Sequence, residues 1–175
     1  MDDLSIRIYG DPVLRKVSAP IEDITGELVD FSRRMGHFMV RSHGIGLAAP
    51  QVGKNIRVIT IDLEYLERGR GVQVLINPVI KYVEGRTAME EGCLSIPGLY
   101  WNVLRPEKVV VQALELLPNG DVREVEIEAG GLYARVILHE IDHLDGVLFV
   151  DRIPEDERRI AIAKWKRSMR SGRTS

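Results

Sequence analysis

The sequence predicts an α+β fold in which mostly antiparallel sheets pack around a central helix, with another helix at the C-terminal end. Two patterns predict it. Short runs rich in β-branched residues fill the middle of the chain, and segments with helical spacing of apolar residues lie before and after them. The 175 residues contain no internal repeat and no long linker, so we expect one domain over residues 1–175.

The first predicted helix covers residues 25–40, with Thr25 as its N-cap. Its apolar residues follow the spacing that places them on one face of a helix: Leu28, Phe31, Met35, Phe38 and Met39. The next segment, from Gly44 to Gln51, is rich in small residues. We expect it to form a loop shaped for close approach, because glycine adopts backbone angles that are closed to other residues.

Four strands are predicted next, over residues 56–63, 72–83, 108–117 and 122–128. Pro118-Asn119-Gly120-Asp121 is typical of a turn, so the last two strands should form a hairpin. The pattern becomes helical over residues 132–144, and Gly146 suits the left-handed position that ends a helix. Pro154 begins a final helix that extends to residue 169.

The composition excludes several classes of protein. Hydrophobic residues make up 45% of the chain and charged residues 29%, which is typical of a globular protein and not of a disordered one. No run approaches the roughly 20 apolar residues that a membrane-spanning helix needs. The start Met1-Asp2-Asp3-Leu4 lacks the features of a signal peptide, so we expect a cytoplasmic protein without membrane contact.

Basic residues are concentrated at the C-terminal end of the chain. Seven of them, and no acidic residue, lie between Arg158 and Ser175, although the formal net charge of the whole chain is −2. One interpretation is a solvated helix with a frayed tail. The alternative is contact with a polyanion such as ribosomal RNA.

The segment His139-Glu140-Ile141-Asp142-His143 indicates a metal site. Two histidines four residues apart on a helix project from the same face, so both imidazoles can reach one metal ion. Glu140 follows the first histidine directly, where a carboxylate can accept a proton from metal-bound water. The alternative is a chance pair of histidines, and a third ligand would argue against it.

A catalytic site of this kind needs three protein ligands, and the remaining thiolate or imidazole candidates are Cys93, His37 and His43. Cys93 is the lone cysteine and cannot form an internal disulfide. By itself it could be a small buried apolar residue, but its segment, Glu91 to Pro97, is typical of an irregular strand. Coupled to the helix motif, Cys93 is the expected third ligand. We expect His37 and His43 to be ordinary polar residues.

Three segments together resemble the motifs of the peptide deformylase family, in the same order and at similar spacing. They are Gly44-Ile45-Gly46-Leu47-Ala48-Ala49-Pro50-Gln51, Glu91-Gly92-Cys93-Leu94-Ser95 and His139-Glu140-Ile141-Asp142-His143. The similarity extends from Tyr9-Gly10-Asp11-Pro12-Val13-Leu14-Arg15 to Gly146-Val147-Leu148-Phe149-Val150-Asp151, and so covers nearly the whole chain.

The resemblance implies a metal-dependent hydrolase that removes the N-formyl group from the N-terminal formylmethionine of nascent polypeptides and releases formate. It implies that Cys93, His139 and His143 bind one divalent metal ion in the central helix region. In many family members this ion is Fe(II), and zinc, nickel or cobalt can occupy the site. Glu140 would act first as general base and then as general acid.

The resemblance also implies roles for residues around the metal. Gln51 and the backbone N–H of Leu94 would stabilise the oxyanion that forms when water attacks the formyl carbon. Ile45 would contribute to an apolar pocket for the methionine side chain. Gly46 and Gly92 would let the peptide backbone lie close to the protein.

The chain departs from the family pattern at two positions. Leu138 stands where the family commonly has glutamine, and His43 stands where it often has an acidic residue. Neither position belongs to the proposed ligand set, but both changes leave open the polar contacts that the resemblance implies around the ligands, including the partner of Arg105. Asp142 is the expected substitute partner, and a solvent-facing role for Asp142 is the alternative.

Two other functions compete with deformylation. A metalloprotease or aminopeptidase uses the same two-histidine helix and would release amino acids in place of formate. A non-enzymatic, metal-stabilised module that binds ribosomes through the basic tail would need four protein ligands and no open position, whereas the sequence offers three.

Overall fold

The computed structural model describes residues 4–172, and within them the chain folds into two antiparallel sheets and three α-helices. Met1, Asp2 and Asp3, on which the signal-peptide expectation rests, lie outside the described residues, as does Arg173 of the basic end.

The helices are α1 (Gly26–Arg41), α2 (Gly131–Leu144) and α3 (Glu155–Arg170). The strands are β1 (Gly46–Ala48), β2 (Val58–Asp62), β3 (Val72–Glu84), β4 (Thr87–Cys93), β5 (Ile96–Arg105), β6 (Lys108–Leu116) and β7 (Val122–Gly130). Short 3₁₀ turns form at Pro12–Arg15, Ala49–Val52 and Phe149–Arg152.

The larger sheet has the strand order β1-β2-β3-β6-β7, with every neighbouring pair antiparallel, and β4 pairs with β5 in a second sheet. Side chains alternate between the two faces of a strand. Along β2, Ile59 and Ile61 therefore pack with the apolar residues of α2, while Val58 packs on the opposite face with those of α1. The helix between residues 131 and 144 is thus buried, and the predicted α+β class with a central helix is confirmed.

The ends of the helices follow the local signals in the sequence. The Thr25 hydroxyl accepts a hydrogen bond from the backbone N–H of Leu28 at 3.2 Å, as expected of an N-cap. Pro154 precedes α3. The hairpin between β6 and β7 closes through a bond from Leu117 N to Asp121 O at 2.8 Å. These predicted boundaries are confirmed within one or two residues.

The prediction of a loop over the small-residue segment is wrong for part of it. Gly46, Leu47 and Ala48 form β1, which pairs with Ile61, Thr60 and Ile59 of β2. The backbone groups of a short edge strand gain ladder hydrogen bonds that a loop would leave to water. The sequence also did not predict the long β5, whose Leu99 and Val103 pack with Trp165 of α3 in a third apolar cluster.

No helix within residues 4–172 combines the length and the apolar character that crossing a membrane requires.

Gly146 fixes the exit of the chain from α2. Its φ is +74°, and a Cβ at this position would lie 2.6 Å from the carbonyl oxygen of Arg15. Glycine is therefore required here both for its backbone angle and for the close approach of the N-terminal segment. The turn holds the end of the two-histidine helix against the start of the chain.

We predict that Gly146→Ala lowers the free energy of unfolding more than Gly120→Ala does. Gly120 also has a positive φ, +92°, but a Cβ there would meet nothing within 4 Å. Gly120→Ala should therefore cost only the backbone strain, about 1–2 kcal/mol. Gly146→Ala should cost about 1–3 kcal/mol more, because it adds an atom where there is no room. Urea unfolding of both variants measures the difference, and equal losses would contradict the role of the Arg15 contact.

Candidate metal centre

The three predicted metal ligands come together between α2 and the end of β4. His139 and His143 lie one turn apart on α2 and are 8% and 1% exposed, respectively. Cys93 is half-buried and follows a shift in register between β4 and β5, at Gly92. Irregularities of this kind turn a side chain out of the normal alternation. One candidate ligand atom from each residue lies within 4.8 Å of the other two.

The surroundings of these side chains fit a bound cation. Cys93 Sγ lies 3.4 Å from His143 Nε2, and the amide Nε2 of Gln51 donates to the same sulfur at 3.4 Å. His139 Nδ1 lies 2.7 Å from Glu91 Oε1. A carboxylate on one ring nitrogen fixes the tautomer and leaves Nε2 free to bind a metal. A thiolate and two imidazoles form a donor set that suits several divalent transition metals.

Glu140 is buried beside the ligands without a partner for one of its oxygens. Its side chain is 4% exposed, and Oε2 has no hydrogen-bond partner among the described residues. Burial raises the pKa of Glu140 to about 7. An unpaired carboxylate oxygen in such a site is a candidate for proton transfer.

Glu91 contrasts with Glu140 in both pairing and protonation. Burial opposes its ionisation, but hydrogen bonds from His139 and Arg105 outweigh that effect and lower the pKa of Glu91 to about 2. Burial also lowers the pKa of His139, whereas its hydrogen bonds with Cys93 and Glu91 raise it more, to well above the usual value. Glu91 is therefore a fixed negative charge beside the imidazole ring of His139, on the side of Nδ1.

A buried network of charges connects the ligand helix to β4 and β5. Arg105 donates to both oxygens of Glu91, at 2.6 and 3.0 Å, and to Asp142 Oδ2 at 2.8 Å. Arg135 Nη1 also donates to Glu91, and Arg152 donates to both oxygens of Asp142. Asp142 is 8% exposed. The predicted Arg105–Asp142 pair is confirmed, and the solvent-facing alternative for Asp142 is wrong.

A cavity of about 450 Å³ opens beside the candidate ligands. Its walls include Cys93 and His139 together with every residue predicted for catalysis or substrate binding: Ile45, Gly46, Gln51, Gly92, Leu94 and Glu140. Val136 of α2 also lines it, although its side chain belongs mainly to the core. The cavity walls thus combine apolar side chains with a few polar groups, as in small-molecule sites generally.

Two of the glycines that line the cavity, Gly46 and Gly92, make room for the protein's own side chains. A Cβ on Gly46 would lie 2.7 Å from Glu140 Oε1, and a Cβ on Gly92 would lie 2.5 Å from Cε1 of Tyr100. Close packing within the protein is therefore one reason for glycine at both positions. Their approach to a peptide backbone stays a prediction.

The remaining sequence candidates lie outside the ligand cluster. His37 is exposed on α1, and His43 is exposed at the rim of the cavity with a φ of +59°. Leu138, which replaces the expected glutamine, is 6% exposed and packs in the core around α2. Within the described residues, no second group of three ligating side chains has the required geometry.

Sequence reasoning missed the side chains that support the site. Glu91 was recognised only as part of a motif, and neither Arg135 nor Arg152 was considered. Glu91 lies on β4 directly after three exposed residues, and an acidic side chain in such a strand is ordinarily exposed. Its burial could therefore not be predicted from the sequence. Phe149, whose ring plane lies 22° from that of His139, was likewise recognised only as part of a motif.

The family described as polypeptide deformylase matches residues 4–159 of this chain. A peptide deformylase from Thermodesulfovibrio yellowstonii is 45% identical over 163 residues, which cover 93% of this chain and 96% of that protein. Peptide deformylase 2 from Gloeobacter violaceus is 49% identical over 161 residues, 91% of this chain and 82% of that protein.

Solved structures agree with these relatives. A peptide deformylase from Legionella pneumophila has a TM-score of 0.86 at 37% identity and covers 98% of each chain. A peptide deformylase from Synechococcus elongatus, solved in complex with actinonin, has a TM-score of 0.85 at 44% identity and covers 94% of this chain and 88% of the other. This chain therefore belongs to the polypeptide deformylase family.

Proposed function

We propose that the protein is a metal-dependent hydrolase that removes the N-formyl group from the N-terminal formylmethionine of nascent polypeptides and releases formate. The observation that carries this proposal is the placement of Cys93, His139 and His143 around one point, with the unpaired carboxylate of Glu140 beside it. Residues 1–175 would form a single catalytic domain. Because the substrate emerges from ribosomes, we expect the enzyme to act in the cytoplasm.

Cys93, His139 and His143 would hold one divalent metal ion, Fe(II) in the native enzyme, with zinc, nickel or cobalt as alternatives. When bound, the cation supplies a Lewis acid that lowers the pKa of a water molecule and polarises the formyl carbonyl. The thiolate of Cys93 carries the one negative charge among the three ligands. Gln51 would stabilise that thiolate through the hydrogen bond from its amide nitrogen to the sulfur.

Glu140 would move the proton that the reaction requires. Its carboxylate accepts a proton from the attacking water and then donates it to the amine nitrogen as the C–N bond breaks, so that formate and a free amine result. Burial raises the pKa of Glu140 to about 7 when no metal is bound, so its carboxylate is a stronger base than an exposed one. The contact with Gly46 would keep the carboxylate at the cavity wall.

Gln51 and the backbone N–H of Leu94 would stabilise the negative charge on the formyl oxygen. Gln51 is 2% exposed, and its orientation is fixed because its Oε1 accepts from Ala48 N at 2.9 Å. Its Nε2 therefore faces Cys93, at the cavity wall, and the Ser95 hydroxyl. Donors that are fixed before the reaction stabilise a developing oxyanion without reorganisation. Ile45, Gly46 and Gly92 would contact the formylmethionine.

The nearest competing function is peptide-bond cleavage by the same ligand helix. The two functions differ in their products, since deformylation releases formate and proteolysis releases amino acids or peptides. A purely structural metal site is disfavoured, because the described residues provide three clustered ligands and structural sites use four.

We predict that the protein releases formate from formyl-Met-Ala-Ser and that Glu140→Ala abolishes this activity while the metal stays bound. Loss of a general base should reduce kcat about 10²- to 10⁴-fold. Formate release should be measured anaerobically, with metal content determined on the same sample. Glu128→Ala, which removes an exposed carboxylate from β7, is the control and should keep wild-type turnover.

Near-full turnover by Glu140→Ala would reject Glu140 as the base. Release of alanine or serine by the wild-type protein, without formate, would favour the peptidase alternative.

We predict that Cys93→Ala loses both metal and activity, because the two remaining imidazoles provide too few ligands for a stable site. Elemental analysis of the purified variant provides the test. His37→Ala removes an exposed histidine outside the cluster and should retain the metal content of the wild type. An unchanged metal content in Cys93→Ala would remove Cys93 from the ligand set.

We also propose that the basic residues of α3 contact ribosomal RNA. Lys164, Lys166, Arg167 and Arg170 lie on this helix, and the first three of its residues are acidic. Changing these four to glutamine should reduce co-sedimentation with ribosomes at low salt, since such contacts depend on charge. Activity on a free tripeptide should not change. Equal ribosome binding by the variant would contradict the proposed contact.

A further inference from the structure

The 3₁₀ turn Phe149–Arg152, here called the clamp turn, contacts the ligand helix in two places. The Phe149 ring lies 6.1 Å from the His139 ring, centroid to centroid, with an angle of 22° between the planes. Arg152 donates from Nε to Asp142 Oδ2 at 3.0 Å and from Nη2 to Oδ1 at 2.7 Å. One short segment thus contacts both a candidate metal ligand and a carboxylate between the two histidines.

A series of hydrogen bonds connects the clamp turn with the imidazole ring of His139. Arg152 binds Asp142, Asp142 accepts from Arg105, Arg105 binds both oxygens of Glu91, and Glu91 contacts His139 Nδ1. Arg152 is the only half-exposed member, since its side chain is 48% exposed and those of Glu91, Arg105, Asp142 and His139 are 4–11% exposed. The series therefore connects the protein surface with a metal ligand.

Arg105 is shared between two carboxylates, and this sharing makes Arg152 important. A buried carboxylate is stable only when enough donors compensate its charge. With the Arg152 fork present, Asp142 has two guanidinium partners, and Arg105 can remain on Glu91. Without it, Asp142 retains Arg105 alone and competes with Glu91 for that guanidinium. Glu91 then keeps Arg135 but loses part of the Arg105 fork that orients it, so it holds the His139 ring less firmly.

We propose that Arg152 is a positioning residue for the metal centre, which acts through Asp142, Arg105 and Glu91 to hold His139 and thereby slows release of the bound metal. Phe149 of the same turn supports the face of the ring. This inference rests on the proposed metal site but goes beyond the proposed reaction, because Arg152 does not line the cavity. A bidentate guanidinium is required, since an ammonium group provides a point charge without the planar fork.

The test compares zinc release from four zinc-loaded full-length proteins: wild type, Arg152→Gln, Arg152→Lys and Arg158→Gln. Zinc is chosen because it is redox-inert. An excess of a chromogenic chelator reports the rate of release. Arg158 provides the matched control, since its side chain is 37% exposed and it contacts the same turn through Asp151, at 3.8 Å, and not through Asp142. Its replacement removes the same charge without touching Asp142.

We expect Arg152→Gln to release zinc about tenfold faster than the wild type, in line with the effect of losing outer contacts of a metal ligand. Arg152→Lys should release it at an intermediate rate, and Arg158→Gln at the wild-type rate. The Tm of each metal-free protein separates positioning from general destabilisation. A role in the metal centre predicts faster release at a Tm close to that of the wild type.

Wild-type release by Arg152→Gln, with or without a lower Tm, would overturn the inference. Equal acceleration by Arg152→Gln and Arg158→Gln would also overturn it, because net charge would then explain the effect. If Arg152→Gln does not fold, Arg152→Lys decides, and its release at the wild-type rate would reject the need for the fork. Failure of the wild-type protein to take up zinc would contradict the proposed function itself.

Discussion

The shared carboxylate of Glu91 is the contact on which the rest of the site depends. It lies 2.7 Å from His139 Nδ1 and accepts from two buried guanidinium groups, those of Arg105 and Arg135. The helix that carries His139 is buried from Tyr133 onward, and its side chains Arg135, His139 and Asp142 have partners inside the protein. The pairing of β4 with β5 and the packing of α2 across the large sheet bring these partners together.

The parts of the site that were predictable are those whose geometry is local. Two histidines four residues apart on one helix must share a face, so their convergence followed from spacing alone. Cys93 could be predicted as a ligand only because a catalytic metal site needs a third one. Arg105 pairs with Thr87 in the β4–β5 register, yet its side chain reaches Glu91 farther along β4, and Arg152 reaches Asp142 through the turn after α2. Such contacts depend on the relative placement of elements, which residue spacing does not determine.

The fold shows the same division between local and distant information. Thr25, Gly146 and the Pro118–Asp121 turn act within a few residues, and their predicted roles as cap, helix end and hairpin are found in the structure. The segment at 44–51 is predicted as a loop because its glycines can adopt backbone angles that are closed to other residues. Its strand β1 exists because β2 offers a partner. Gly46 is small because the Glu140 carboxylate lies close to it.

Two buried glutamates near the ligands illustrate how surroundings assign different chemistry to one residue type. Hydrogen bonds from His139 and Arg105 lower the pKa of Glu91 to about 2, so it remains ionised and holds the ring. Burial raises the pKa of Glu140 to about 7, and its unpaired oxygen can gain or lose a proton near neutral pH. If Glu91 and Glu140 exchanged surroundings, the His139 ring would lose its ionised hydrogen-bond acceptor. The cavity would lose the carboxyl group that can gain or lose a proton. The division of roles therefore arises from the placement of the arginines, which compensate one carboxylate and leave the other unpaired.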